Sequence, residues 1–319
     1  MSINIGIVGY GNLGKATEQC VLSQNDLNLV AIFSRRLVKS KFNTPVESYE
    51  NISQYKGKID VMLLCGGSFG DLENQTTDVL LNFDCINTFD NHKKLSSELQ
   101  RLNELAKKSK HILIMSCGWD PGIFSNIRAM CYSVSNTLPN VFWGKGISMG
   151  HSEAIRKVKN VEDGVEFTIP NTLAIKLAKK GKLTGTECLH FRECFVVAKQ
   201  KFHKQIETDI SNIPDYFKGQ PTKVNFVTKQ NFLKLLSKIF HKGEIIANFK
   251  TVHGSKCLID FKLKIDSNPD FTATIITNYV NAILNLKIKN QVGAFTPLDI
   301  PAIYLFKPER RKCIIEKLC

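Results

Sequence analysis

No Cys-x-x-Cys pair occurs in the 319 residues, although ten cysteines do. They are scattered from Cys20 to Cys319, and the closest spacings, Cys188 to Cys194 and Cys313 to Cys319, suit neither a zinc site nor a redox pair. Scattered thiols of this kind read as small apolar side chains in a reducing compartment, and no metal is expected. No stretch approaches the ~20 uninterrupted apolar residues needed to cross a bilayer. The start, Met1 to Gly9, lacks the basic residues and apolar run of a secretory leader, so a cytoplasmic protein with no membrane partner is expected. Internal repeats and low-complexity segments are also missing. Acidic residues are in deficit, 29 Asp and Glu against 43 Lys and Arg, for a formal net charge of +14. Residues 1–122 are balanced and the whole excess lies beyond them. Those lysines are mostly interspersed with acids, and neither a helix-turn-helix nor a run of basic and aromatic residues accompanies them. A solvated Lys-rich surface therefore outranks nucleic-acid binding, and no nucleic-acid partner is expected.

What is present is the material of a globular protein, 43% hydrophobic and long enough for about two domains. The first part alternates apolar runs with amphipathic stretches. Strands are expected at Ile3–Val8, Leu29–Phe33, Val61–Cys65, Cys85–Thr88 and Ile112–Met115, with a helix after the first and another around Ser96–Lys107. That rhythm predicts an α/β fold with an N-terminal Rossmann-type doubly wound parallel sheet. The composition shifts at Trp119-Asp120-Pro121-Gly122. Beyond it, strand-like runs at Phe191–Val197, Lys223–Val227 and Cys257–Ile265 separate helical stretches, as in an α+β substrate-binding and dimerisation domain. The expected organisation is a dinucleotide-binding domain over 1–120, a substrate-binding and dimerisation domain over 121–295, and a C-terminal segment over 296–319 packing back on the first domain.

Gly9, Gly11 and Gly14 form a Gly-x-Gly-x-x-Gly sequence directly after a strand and at the opening of a helix. In that context Gly9 serves a tight turn, Gly11 leaves room for a pyrophosphate against the backbone, and Gly14 lets helix and strand pack closely. A site selective for NAD places Asp or Glu at the end of the second strand, for the ribose 2′-hydroxyl. Here the chain reads Ser34-Arg35-Arg36, and a guanidinium suits a 2′-phosphate that a carboxylate would repel. The expected cofactor is NADP. Two carboxylates stand at carboxyl ends of expected strands: Asp90, after the fourth, and Asp120, after the fifth. Either alone is an ordinary turn or capping residue. Together, at the edge where such sheets bind ligands, they suit a substrate bearing an ammonium group that must lose a proton before hydride leaves its carbon.

Several blocks then carry a resemblance: Gly9-Tyr10-Gly11-Asn12-Leu13-Gly14, Phe33-Ser34-Arg35-Arg36, Asp90-Asn91-His92, Gly118-Trp119-Asp120-Pro121-Gly122, Phe142-Trp143-Gly144, Gly150-His151-Ser152, Pro214-Asp215-Tyr216-Phe217, Asn268-Pro269-Asp270-Phe271-Thr272-Ala273 and Gly293-Ala294-Phe295-Thr296. From Ile5 to about Pro308 the chain closely resembles the meso-diaminopimelate dehydrogenases. The resemblance implies a cytoplasmic homodimer that oxidatively deaminates the D-centre of meso-2,6-diaminopimelate with NADP. The products would be L-2-amino-6-oxopimelate, which cyclises to tetrahydrodipicolinate, ammonia and NADPH, in lysine and cell-wall precursor biosynthesis. It implies direct hydride transfer from the D-carbon, with Asp90 and Asp120 near the reacting centre and Trp119 and Trp143 as aromatic walls. Thr168, Arg192, His241 and Asn268 would hold the distal L-centre, under a loop with Met149, Gly150 and Glu153. Coenzyme contacts would come from Gly9, Tyr10, Gly11, Asn12, Leu13, Gly14, Ser34, Arg35, Arg36, the loop Gly67-Ser68-Phe69, Asp90, Trp119, Asp120, Pro121 and Gly122. An NADP-dependent D-amino acid dehydrogenase of broader specificity, a homoserine or dihydrodipicolinate-type reductase, and a non-catalytic NADP-sensing protein are the rival expectations.

Overall fold

The computed structural model describes residues 2–67, 70–185, 188–236 and 240–319. Along the chain run β1 (Ile3–Val8), α1 (Asn12–Leu22), β2 (Leu27–Ser34), β3 (Val46–Ser48), β4 (Val61–Leu64), α2 (Asp71–Leu80), β5 (Asp84–Asn87), α3 (Leu95–Ser109), β6 (Ile112–Ile114) and α4 (Ile123–Ser135). Then come β7 (Asn140–Trp143), β8 (Gly146–Ile147), α5 (Met149–Arg156), β9 (Val161–Pro170), α6 (Thr172–Lys179), β10 (His190–Ala198), α7 (His203–Ser211), β11 (Thr222–Phe226) and α8 (Lys229–Leu236). The chain ends with β12 (His241–Lys250), β13 (Lys256–Ile265), α9 (Asn268–Ile288), β14 (Gly293–Phe295) and α10 (Arg311–Leu318). None of the described helices is long and apolar enough to cross a membrane.

The chain divides into two compact units, Met1–Asn126 with Pro269–Cys319, and Ile127–Asn268. In the first, seven strands pair in the order β14-β6-β5-β4-β1-β2-β3, every pair parallel. From β3 to β6 this is the doubly wound order, with its topological switch point between β1 and β4. The apolar runs read from the sequence become central strands buried on both faces, as a parallel sheet requires. Alternate residues serve opposite sides. Ile5, Ile7, Leu63 and Ile114 join one core cluster with Ile276, Tyr279, Val280 and Ile283 of α9, whereas Met62, Leu64 and Leu113 join Leu72 and Val79 of α2 and Leu102 of α3 in the other. At roughly 1.5–3 kcal/mol for each large aliphatic side chain, that shared burial binds α9 to the sheet. The division therefore differs from the limits of 121–295 expected for the second domain. The apolar stripe of α9 covers one sheet face, and β14 adds a strand beside β6.

The second unit holds two sheets. One is mixed, β11-β10-β9-β8, with β10 parallel to β11 and antiparallel to β9; the other, β13-β12-β7, is antiparallel. The three runs read as strands from the sequence lie in β10, β11 and β13. β9 and β12 escaped that reading: β9 carries the buried polar residues Glu166 and Thr168, which break its apolar pattern.

Candidate active site

In the first unit the site is built on the turn from β1 into α1. Gly9 adopts φ +91°, a left-handed conformation in which only glycine is unstrained. A Cβ on Gly14 would lie 2.1 Å from the carbonyl oxygen of Gly9, so helix and turn touch there, while a Cβ on Gly11 would meet nothing within 4 Å. No side chain caps α1 at Gly11, and no acidic residue stands in its first turn. Open space over Gly11, beside a helix end whose amides lack a side-chain partner, fits the pyrophosphate of a dinucleotide.

The end of β2 is tied to the same turn by the Gly9 N–H, which donates to the Phe33 carbonyl oxygen at 2.9 Å. Ser34 Oγ donates to the Arg36 carbonyl oxygen at 2.9 Å and accepts from its N–H, while Arg35 Nη2 lies 2.6 Å from Asp71 Oδ1 at the start of α2. The following loop is tied down by a buried carboxylate. The hydroxyls of Tyr10 and Ser40 both donate to Glu18, and the N–H groups of Lys41, Phe42 and Thr44 donate in turn to those two hydroxyls at 3.0 Å. Gly67 lies between β4 and α2; Ser68 and Phe69 fall outside the described residues.

Asp90 follows β5 and is exposed, and Trp119 to Gly122 follow β6. One buried side chain joins these two loops: Asn87 Oδ1 accepts from Phe89 N–H at 3.2 Å and Ser116 N–H at 3.1 Å, and Asn87 Nδ2 donates to Thr76 at 3.0 Å. Bridges from Gly122 to Gly118 and Trp119 close the second loop, and Trp119 packs edge-on against Phe124 with ring centres 5.1 Å apart.

The second unit brings Thr168, Arg192 and His241 together. Thr168 and Arg192 face each other across β9 and β10, and Arg192 Nη1 lies 2.6 Å from Thr168 Oγ1 and 3.4 Å from Glu166 Oε1. Gly146 pairs with Thr168 and backs onto His241, where a Cβ would come within 3.3 Å of both Cα and Nδ1. His241 is buried, and that burial lowers its proton affinity. Trp143 stacks on His190 with ring centres 5.1 Å apart, and the backbone N–H of Trp143 donates to His190 Nε2 at 2.8 Å. Burial, reinforced by the Arg192 charge, pushes the His190 ring down to about 4. Met149 opens α5 with most of its side chain exposed; a Cβ on Gly150 would lie 3.5 Å from Cε1 of Tyr216; Glu153 is paired along the helix with Lys157 at 3.0 Å. Asn268 opens α9, at the limit of this unit.

Three polar residues beside these were not singled out from the sequence. Asn87 has no motif to mark it. Glu166 and His190 each lie two positions from a residue that was singled out, Thr168 and Arg192, and the period of two in a strand puts each pair on one face. A third histidine, His151, lies 2.8 Å from Ser148 Oγ and 3.1 Å from the Tyr216 carbonyl oxygen, and burial, with the Arg192 charge acting the same way, pushes it down to about 4.

Comparison with known proteins is consistent across sequence and structure. A family model described as the diaminopimelic acid dehydrogenase C-terminal domain matches residues 118–267. The chain is 41% identical over 317 residues to a meso-diaminopimelate D-dehydrogenase of Acetivibrio thermocellus, covering 95% of this chain and 94% of the relative. It is 37% identical over 321 residues to the enzyme of the same name from Corynebacterium glutamicum, covering 99% of each. The solved C. glutamicum DAP dehydrogenase in complex with DAP aligns with a TM-score of 0.95 at 35% identity, over 100% of this chain and 99% of that one. An engineered D-amino acid dehydrogenase bound to NADP⁺ aligns at a TM-score of 0.92 and 34% identity, over the whole of both chains.

Proposed function

The chain belongs to the meso-diaminopimelate D-dehydrogenase family, and from that premise we propose that it oxidatively deaminates the D-centre of meso-2,6-diaminopimelate, reversibly and with NADP. The products are L-2-amino-6-oxopimelate, ammonia and NADPH. The observation that carries the reading is the full-length similarity to enzymes of that name, joined to a β1–α1 turn shaped for a dinucleotide. The choice of NADP rests on the turn Ser34-Arg35-Arg36, which offers two guanidiniums and no carboxylate. Gly9 to Gly14 hold the pyrophosphate, with Gly67, Ser68, Phe69 and Trp119 to Gly122 completing the coenzyme contacts. The protein acts in the cytoplasm as a homodimer.

The bound nicotinamide supplies the hydride acceptor, and the residues do the rest. Arg192, with five donors in a planar fork, clamps the distal carboxylate, aided by Thr168, His241 and Asn268. Trp143 packs on the methylene chain, and Met149, Gly150 and Glu153 lie over it. Fixing the L-centre in this way presents only the D-hydrogen for transfer, which is orientation rather than chemistry. Asp90 and Asp120 take the ammonium proton and orient the water that releases ammonia. Replacing each in turn by Asn tests the assignment: a loss of at least about tenfold in kcat/KM is expected for one or both. Full activity in both variants would remove the two carboxylates from the mechanism.

A further inference from the structure

Arg192 is held by one corner of its fork. Among the described residues Nη1 alone is engaged, by Thr168 Oγ1 at 2.6 Å and Glu166 Oε1 at 3.4 Å, and Nε is buried with no partner. A buried donor without a partner costs on the order of 1–3 kcal/mol, a cost relieved when an acceptor arrives. The Nε–Nη2 edge is the one that receives a carboxylate bidentately. Behind Nη1, Glu166 is completely buried; it accepts from Thr168 Oγ1 at 3.0 Å, and its backbone fixes α5, its carbonyl accepting from Ser148 N–H at 3.2 Å and its own N–H donating to Ser152 Oγ at 3.0 Å.

Resting on the substrate reading above, we propose that Glu166 is a positioning residue for Arg192, which it holds from behind at Nη1 so that the Nε–Nη2 edge faces the substrate's distal carboxylate, and that Glu166 takes up a proton from solvent when that carboxylate binds. While Glu166 is ionised it shares the charge of Arg192. A second carboxylate on the same guanidinium adds a like charge a few ångströms away, which favours the neutral form of Glu166. Burial already pushes Glu166 up to about 7 against the pull of Arg192, so a modest further rise moves it through the neutral range. The other groups facing this cluster stay silent there. His151 on α5 and His190 on β10 are both near 4, burial lowers His241 on β12, and burial raises the Cys194 thiol on β10.

The test is calorimetric titration of the NADPH-loaded enzyme with meso-diaminopimelate, a pair that cannot react, at pH 7.5 in two buffers of different ionisation enthalpy. The expected result is uptake of a large fraction of one proton by the native enzyme and none by Glu166→Gln. The same variant should raise KM for the substrate roughly tenfold with a much smaller change in kcat, and leave coenzyme affinity unchanged. Binding without proton uptake in the native enzyme, or equal uptake in Glu166→Gln, overturns the inference and leaves the substrate reading intact. No binding of meso-diaminopimelate at all sinks both. A melting temperature for Glu166→Gln close to native separates loss of positioning from loss of folding.

Discussion

At the scale of single residues, the glycines of the first turn separate what the fold needs from what the ligand needs. Gly14→Ala drives a methyl into the Gly9 carbonyl oxygen and should cost roughly 1–3 kcal/mol of stability together with coenzyme affinity. Gly11→Ala enters open space at an ordinary φ of −83°, so stability should hold within about 0.5 kcal/mol while coenzyme binding falls at least about tenfold. Thermal melts and coenzyme titrations on the two variants check both; a Gly11→Ala protein that binds coenzyme normally would mean the space over Gly11 is not the phosphate site. Arg36→Ala should raise KM for NADP⁺ by about tenfold or more and leave KM for NAD⁺ nearly unchanged. At the other site, Arg192→Ala should raise KM for the diacid far more than it affects coenzyme binding.

At the scale of elements, function depends on how loops are tied at strand ends. Asn87 at the end of β5 fixes both the loop that leads to Asp90 and the loop that leads to Asp120. Asn87→Leu removes the acceptor for two buried N–H groups and should cost roughly 2–4 kcal/mol, with kcat falling more than either KM rises. Unchanged kcat would show that the two loops hold their geometry without it. Much of this level was legible in the sequence. β1, β2, β4, β5 and β6 announced themselves as apolar runs because parallel central strands are buried on both faces. β9 did not, since Glu166 and Thr168 sit at buried positions where the pattern calls for apolar side chains. α9 reads plainly as a helix, yet nothing local says that its partner is a sheet whose strands lie far earlier in the chain, from Ile5 to Ile114. The glycines were read from a motif, the two carboxylates from their place at strand ends and Arg192 from resemblance; Asn87 has no such signal, and Glu166 and His190 are marked only by lying two positions from Thr168 and Arg192 on the same strand face.

At the scale of the whole molecule, buried ionisable groups set how stability follows pH. His151 and His190, near 4 when folded and 6.5 when unfolded, bind protons more readily in the unfolded chain. Their contribution is therefore full above pH 6.5 and lost on acidification toward 4, by up to about 3 kcal/mol each. Glu166 acts in the opposite sense. Raised from 4.5 to about 7, it binds its proton better when folded, and its contribution is lost as pH rises from 4.5 toward 7. Melts between pH 4 and 8 should show Glu166→Gln losing stability more steeply than the native protein on acidification from 6.5 to 4.5; parallel curves would contradict the burial of a titrating Glu166. The net charge of +14 enters only weakly, because exposed charges are screened beyond roughly 8 Å at physiological salt. The central claim is the reaction itself, and it is tested most directly by following NADPH absorbance with NADP⁺ and meso-diaminopimelate, beside parallel reactions with the LL isomer, with NAD⁺ and with a simple D-amino acid. Turnover confined to the meso isomer with NADP⁺ is the predicted result. Equal turnover of a simple D-amino acid would contradict the role given to Arg192, and no turnover in any reaction would contradict the account as a whole.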